Sequence, residues 1–238
     1  MPAKEILVAL FVFNEGDKLR KLLESFPHDS PYDLLFVDDG SSDGSNEFLR
    51  EEGRTVIRHN RNLGIGYGIR EAIEYGRQGG YRIIVIMAAN GKMLPEEISR
   101  LTNPIIREGF DYVQGSRNLE GGESPNIPLF RKVTIRLFTR LVNFFTGFRG
   151  TDVTCGFRAY RLSLFDNPRF NLGQEWLNHY EMEYYIHFHV LKGKYRVTEA
   201  PVSMVYPESG KNYSKIRPIV GWWSMIRPWV FLYLHIKK

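Results

Sequence analysis

The chain has 238 residues, of which 43% are hydrophobic and 14% aromatic, enough for one sizeable core. Its single cysteine, Cys155, excludes an internal disulfide framework and favours a reducing compartment. The first apolar segment, residues 6–13, is too short and too lightly charged in front for a signal peptide, so we expect a cytoplasmic location. The net charge of +5 is compatible with nucleic acid, anionic lipid or polyphosphate ligands. The positions of the basic residues along the chain are needed to distinguish these ligands.

Short apolar segments alternate with helical patterns along the N-terminal half. The predicted strands are residues 6–13, 34–37, 55–58, 83–87 and 112–114. Helices are predicted over residues 17–26 and 65–76, and a third opens at Pro95. The alternation predicts an α/β fold with a mostly parallel central sheet and flanking helices, in which ligands bind at the carboxyl ends of the strands.

Polar residues follow the first two predicted strands. Phe13, Asn14 and Glu15 come after the first, and an acidic loop, residues 38–45, comes after the second. Carboxylates at strand ends can accept hydrogen bonds from a nucleobase or from ribose hydroxyls. The alternative is a turn whose Asp and Ser side chains only cap the next helix.

Five motifs in order resemble the family 2 glycosyltransferases, in particular the dolichyl-phosphate-mannose synthase-like branch, over nearly the whole chain. The motifs are FNE (13–15), VDDGSSDG (37–44), NLGIG (62–66), GSR (115–117) and DVTCGFR (152–158). The resemblance implies a GT-A fold, a UDP- or GDP-sugar donor and an inverting transfer.

The resemblance also implies roles for individual residues. The nucleotide-sugar would lie against Phe13, Glu15, Asp39, Ala88, Asn90 and Arg117. Arg131 and Arg158 would meet phosphate or the acceptor, a task that suits the planar guanidinium group. The late loop, residues 206–215, is similar to a loop of the family that ends in Ser-Lys and closes over the phosphates. The resemblance therefore implies that Ser214 and Lys215 also bind the phosphate or the acceptor. Tyr206 stands near the place where the family usually has an arginine.

The chain departs from the family where two carboxylates, in the pattern Asp-x-Asp, help to hold a divalent cation. The aligned residues are Ala88, Ala89 and Asn90, followed by Gly91 and Lys92. We therefore expect no cofactor, with Mg²⁺ or Mn²⁺ as the alternative, because the usual carboxylate ligands are missing. Either the Lys92 ammonium supplies the positive charge directly, with Asn90 beside it, or the protein is a catalytically silent binder.

A general base is needed only if the acceptor is a hydroxyl, since a lipid phosphate is already an anionic nucleophile. Glu181 and Glu183, at the start of a helix-like stretch over 174–192, are the candidates, and Glu183 fits the family's acidic position better. Two acids on an exposed helix are also commonly just solvated.

Two C-terminal stretches, 130–149 and 211–238, combine basic and aromatic residues, which favours anionic lipid over nucleic acid as the partner. Residues 130–145 have the spacing of an amphipathic helix that either packs on the core or lies at headgroup depth. Residues 219–236 are mostly apolar but contain Arg227 and Pro228, so we predict a membrane-lying or dimer-forming segment.

We therefore expect a glycosyltransferase domain over 1–205 and a basic loop with a Trp-rich tail over 206–238. The acceptor would be membrane-associated and lipid-linked, a polyprenyl phosphate or a glycolipid. The protein would lie peripherally on the cytoplasmic face of the membrane, with a homo-oligomer as a further option. A nucleotidyltransferase is disfavoured because residues 14–17 are acidic. A dinucleotide-binding dehydrogenase is disfavoured because the glycines at 64–68 have the wrong spacing and do not follow the first strand.

Overall fold

A computed structural model describes residues 5–27, 29–208 and 220–237 of the chain. Within them, a seven-stranded sheet has the order β3-β2-β1-β4-β6-β5-β7. The strands are β1 (Ile6–Val12), β2 (Asp33–Asp38), β3 (Thr55–Arg58), β4 (Ile83–Ala88), β5 (Tyr112–Ser116), β6 (Arg158–Arg161) and β7 (Val197–Pro201). Strand β6 is antiparallel to both of its neighbours, and all the other pairs are parallel.

Helices cover both faces of the sheet. They are α1 (Gly16–Glu24), α2 (Ser45–Glu51), α3 (Ile65–Gln78), α4 (Ile98–Glu108), α5 (Leu129–Thr146), α6 (Glu181–Lys192) and α7 (Val220–Tyr233). Short 3-10 helices occupy Pro95–Glu97, Leu162–Asp166 and Glu175–Leu177. The mostly parallel α/β architecture predicted from the sequence is confirmed.

The central strands are apolar along their whole length because both of their faces are covered. Every residue of β1 is buried. Alternate residues point to opposite sides of the sheet, where Val8 packs in the cluster that includes α1 and α4, and Ala9 packs in the cluster that includes α3 and α6. The core is thus two apolar layers divided by one sheet.

The apolar face of α5 that was predicted from the sequence is mostly exposed, and a different face of the helix packs on the core. Ile135, Thr139 and Val142 are its buried residues. Most of the apolar residues that defined the predicted amphipathic face are instead exposed, with Phe130 66% and Phe144 82% accessible. The helix therefore carries a buried stripe and a second, exposed apolar stripe.

Helix α7 packs against α6 and is continuous through Arg227 and Pro228. Trp229 joins Val142 of α5 and Tyr184 of α6 in a third apolar cluster. No helix in the described parts of the chain is both long and apolar enough to cross a membrane.

Candidate active site

The sequence-predicted residues gather at the carboxyl edge of the sheet because the parallel register aligns the strand ends. Val12 at the end of β1 pairs with Asp38 at the end of β2, and Asp38 pairs with Arg58 at the end of β3. On the other side of β1, Phe11 pairs with Ala88 at the end of β4. The segments that follow these strands therefore lie side by side.

Asp39 is held by three donors. The backbone N–H groups of Leu63 and Gly64 donate to its two carboxylate oxygens at 2.7 and 2.9 Å. The Nδ1 atom of His59 lies 2.7 Å from Oδ1 of Asp39. Gly64 is required here because its φ of 98° is unfavourable for other residues and because a Cβ atom would collide with His179. The Asp39 carboxylate therefore has a fixed orientation.

Glu15 and Phe13 follow β1 beside this site. Glu15 is buried, and its carboxylate accepts a hydrogen bond from Lys18 at 3.2 Å. The loop is fixed to the acidic loop by Asn14, whose side-chain oxygen accepts from the Ser42 N–H at 2.8 Å and whose own N–H donates to Ser41. The structure thus brings Phe13, Glu15 and Asp39 together as the sequence predicts.

The segment after β4 does not suit a hard divalent cation. Ala88 has no ligating atom, and the side-chain oxygen of Asn90 accepts a hydrogen bond from the Lys92 N–H at 3.2 Å. Among the described residues, no group of three or more His, Cys, Asp or Glu side chains has a metal-binding arrangement. The only side-chain oxygen at positions 88–90 is this neutral amide oxygen, whereas Mg²⁺ and Mn²⁺ are usually held through one or two carboxylates.

Three cationic side chains contact Tyr206, two of them at its ring and one at its hydroxyl. The Lys92 ammonium lies 5.2 Å and the Arg131 guanidinium 5.4 Å from the ring centroid. The hydroxyl of Tyr206 accepts a hydrogen bond from Arg117 at 2.8 Å. The backbone next to Tyr206 is tied to the segment after β4, because the Val205 N–H donates to the Lys92 carbonyl at 2.9 Å. Tyr206 therefore links the segment after β4 to the start of the late loop.

Arg117 lies deeper than the sequence predicts. Its side chain is 4% exposed. The guanidinium forms a bidentate pair with Asp152, at 2.6 and 2.9 Å, and donates to Thr154. Burial raises the pKa of Asp152, but the attraction of Arg117 outweighs that effect, so the pKa lies below its usual value. Residues 152–158 pack against the end of β5, so most of the hydrogen-bond donors of the Arg117 guanidinium bind other residues of the protein.

Arg158 also differs from expectation. It lies in β6, is 1% exposed, and donates to the carbonyls of Cys155, Glu183 and Val153. The antiparallel strand that buries it was not predicted, which is why the sequence suggested an accessible phosphate ligand. The structure places Arg158 as a support for neighbouring backbone.

The two acids of α6 are not solvated. Glu181 has no exposed surface and pairs with Arg227. Glu183 has a side chain 13% exposed, 3.8 Å from Arg158. Burial raises the pKa of Glu183, and Arg158 opposes this only in part. The expectation of an exposed helix was wrong, because α7 and α5 cover α6.

Ser214 and Lys215 lie outside the described residues. Three residues of the site were not identified from the sequence as members of it. His59 stands one residue past β3, where ligand-binding residues are expected, and Tyr206 was noticed only as a substitution for arginine. Glu71, on α3, carries no signal in the sequence that separates it from a solvated helix acid.

Comparison with known proteins places this site in a family. The Glycosyl transferase family 2 model matches residues 8–167. A polyprenol monophosphomannose synthase of Mycolicibacterium smegmatis is 28% identical over 216 residues, which cover 88% of this chain and 80% of that protein. An undecaprenyl-phosphate mannosyltransferase of Micrococcus luteus is 27% identical over 217 residues, covering 87% and 86%.

A glucosyl-3-phosphoglycerate synthase of Mycobacterium tuberculosis, solved with Mn²⁺, UDP and phosphoglyceric acid, has a similar structure. The TM-score is 0.67 at 16% identity, over 97% of this chain and 78% of that chain. This likeness supports the GT-A fold. The chain belongs to glycosyl transferase family 2, its relatives agree with the dolichyl-phosphate-mannose synthase-like branch, and it is a glycosyltransferase.

Proposed function

We propose that the protein transfers a sugar from a nucleotide-sugar to a polyprenyl phosphate, with inversion at the anomeric carbon and without a bound divalent cation. The relatives from Mycolicibacterium smegmatis and Micrococcus luteus are named for transfer to polyprenyl phosphates and are similar over most of their length. The nucleoside would lie against Phe13, Glu15 and Asp39.

The observation that carries the proposal is the meeting of Lys92 and Arg131 at Tyr206, beside a segment that lacks the metal-binding carboxylates. The departing nucleotide carries developing negative charge on its diphosphate. A fixed ammonium and guanidinium aimed at that charge stabilise it without reorganisation, as a metal ion does elsewhere. Arg117 acts through Tyr206, and Ser214 and Lys215 would complete the site from the late loop.

The acceptor phosphate supplies its own nucleophile. One of its oxygen atoms forms the bond to the anomeric carbon while the bond from that carbon to the donor diphosphate breaks, and the nucleoside diphosphate leaves with the electron pair. In-line displacement inverts the configuration. Because this oxygen is already anionic, no proton has to be removed, and Glu183 would act as a general base only toward a hydroxyl acceptor.

The exposed stripe of α5 is suited to a membrane surface. It continues onto α7, since the rings of Phe145 and Tyr233 are 5.3 Å apart. A soluble monomer rarely exposes a continuous apolar patch of this kind. The exposed Arg136 and Arg140 border the stripe, which matches a surface of anionic headgroups. We infer that α5, together with residues 206–238, docks the enzyme peripherally on a membrane, on the cytoplasmic face.

The test is nucleotide release from UDP-, GDP- and dTDP-sugars with polyprenyl phosphate, with EDTA or with added Mg²⁺ or Mn²⁺. Turnover should be unaffected by EDTA and should fall by about 10²-fold or more in Lys92→Ala, with partial recovery in Lys92→Arg. Lys194→Ala, an exposed residue at the opposite edge of the sheet, is the matched control. Inactivation by EDTA would refute the metal-independent mechanism, and binding without release would indicate a silent binder.

A further inference from the structure

His59 is enclosed between two carboxylates. Its Nδ1 atom lies 2.7 Å from Asp39, and its Nε2 atom lies 2.5 Å from Glu71 of α3. An ionised carboxylate only accepts hydrogen bonds, so both ring nitrogens must carry a proton to satisfy both contacts. The residue is 5% exposed, which limits competition from water. The geometry therefore describes an imidazolium ion shared by two acids.

Two other acids of the nucleoside side, Glu15 and Asp38, have a cationic partner. Glu15 pairs with Lys18 at 3.2 Å, and Asp38 lies 3.5 Å from Arg58. Asp39 has His59. Of these three cations, only the histidine changes its charge near neutral pH. The positive charge beside Asp39 therefore depends on one titratable proton.

We propose that protonated His59 is a positioning residue that orients Asp39 and neutralises it for the polyanionic nucleotide-sugar, so that donor binding is gated by the protonation of the His59–Glu71 pair. This inference rests on the proposed function, since it assumes that Asp39 faces the donor. Glu71 is the adjustable member, because Asp39 is fixed by two backbone N–H groups while the Glu71 side chain is 33% exposed.

The direction of the pH effect follows from the groups around the ring. Burial lowers the pKa of His59, but the hydrogen bonds and attraction of Asp39 and Glu71 outweigh it, so the pKa is raised. The charged or titratable groups nearby are Arg58 and Asp38 at the ends of β3 and β2, Asp39 after β2, and Tyr67, Arg70 and Glu71 of α3.

Above the raised pKa, one ring nitrogen presents a lone pair to a carboxylate. Glu71 then turns away toward solvent, and Asp39 loses the positive charge beside it. An anionic donor close to an uncompensated carboxylate is repelled. Donor affinity is therefore highest in the protonated state and falls as the pH rises.

The experiment measures binding of UDP-glucose and GDP-mannose by calorimetry, together with the His59 titration by NMR of the ring, assigned with His59→Gln. Between about pH 6 and pH 8.5 the dissociation constant of the cognate donor should rise about tenfold. Its midpoint should coincide with the His59 titration. His59→Gln should bind weakly with no such step.

Glu71→Gln separates this role from a structural one. Removing one attracting carboxylate should lower the His59 titration and the binding midpoint together, while affinity at low pH is retained. Glu74→Gln, one turn along α3 and 52% exposed, should move neither midpoint. A neutral His59 at pH 7, or a titrating His59 with affinity that does not change, would overturn the inference. Absence of donor binding at every pH would overturn the proposed function and this inference with it.

Discussion

The guanidinium of Arg227 lies 2.6 Å from the carboxylate of Glu181, which has no exposed surface. In the sequence Arg227 is a charge within an apolar segment, but in the fold it turns inward and joins α7 to α6. It also donates to the Trp176 carbonyl at 3.3 Å. The same charge that argues against a membrane span is thus a packing contact of the C-terminal helix.

Replacing Arg227 by Met is expected to destabilise the protein by about 3 kcal/mol, because the buried carboxylate of Glu181 loses the cation that is paired with it. The effect should be at the lower end for buried pairs because Arg227 is 26% exposed. Urea unfolding measures it. The double variant Arg227→Met with Glu181→Leu should recover most of the loss, and a cost as large as that of the single variant would contradict the assignment.

The sequence predicted the core strands well because their apolar character does not depend on their neighbours. Residues 6–13 and 83–87 were predicted nearly to their observed ends, since both faces of these strands are buried. β6 was missed because it has only four residues and contains two arginines, Arg158 and Arg161. Its antiparallel pairing with β4 and β5 is a tertiary feature without a local pattern.

The site was predicted where it depends on strand ends, and less well where it depends on side chains that meet across the fold. Glu15 and Asp39 follow within three residues of the ends of β1 and β2, which pair in register. Arg117 and Asp152 are 35 residues apart, and their pairing cannot be inferred from spacing. The three cations at Tyr206 likewise come from separate segments, so only the folded chain brings them together.

Tyr206 is expected to affect donor binding through its hydroxyl, which binds Arg117, and through its ring, which contacts Lys92 and Arg131. Tyr206→Phe keeps the ring beside Lys92 and Arg131 but loses the hydrogen bond from Arg117, so the donor KM should rise by about threefold to tenfold. Tyr206→Leu removes the ring as well and should raise it further, by about tenfold, through the loss of cation–π contacts. Steady-state kinetics with thermal unfolding separates this effect from a loss of folded protein.

Comparing the same two variants also distinguishes a positioning role of Tyr206 from a purely space-filling one. If Tyr206 only fills space, Phe and wild type should behave alike and Leu should lower stability without changing the ratio of KM to kcat. A graded rise in KM across Tyr, Phe and Leu, at similar melting temperatures, is the result expected of a residue that positions the cations.

Replacing Glu183 tests whether the acceptor is a phosphate or a hydroxyl. With polyprenyl phosphate the nucleophile is already ionised, so Glu183→Gln should lower kcat by less than about tenfold, whereas loss of a working general base typically costs about 10²- to 10⁴-fold. Single-turnover rates at several pH values measure this. A loss in the larger range, together with loss of the acidic limb of the pH profile, would indicate a hydroxyl acceptor instead. Glu183→Asp, which keeps the carboxylate, is the companion variant.

The exposed stripe of α5 is expected to control membrane binding. Phe130→Ser and Phe144→Ser should each weaken sedimentation with vesicles containing anionic lipid by about tenfold, because each removes a large apolar side chain from the interface. Arg136→Ser should weaken it by about fivefold at low salt, and less at high salt. Ile106→Ser, an exposed apolar residue of α4, is the matched control. Equal binding by all variants would contradict a role of the stripe in membrane binding. A change from dimer to monomer in Phe144→Ser, without any vesicle binding by wild type, would show that the stripe joins two copies of the chain instead.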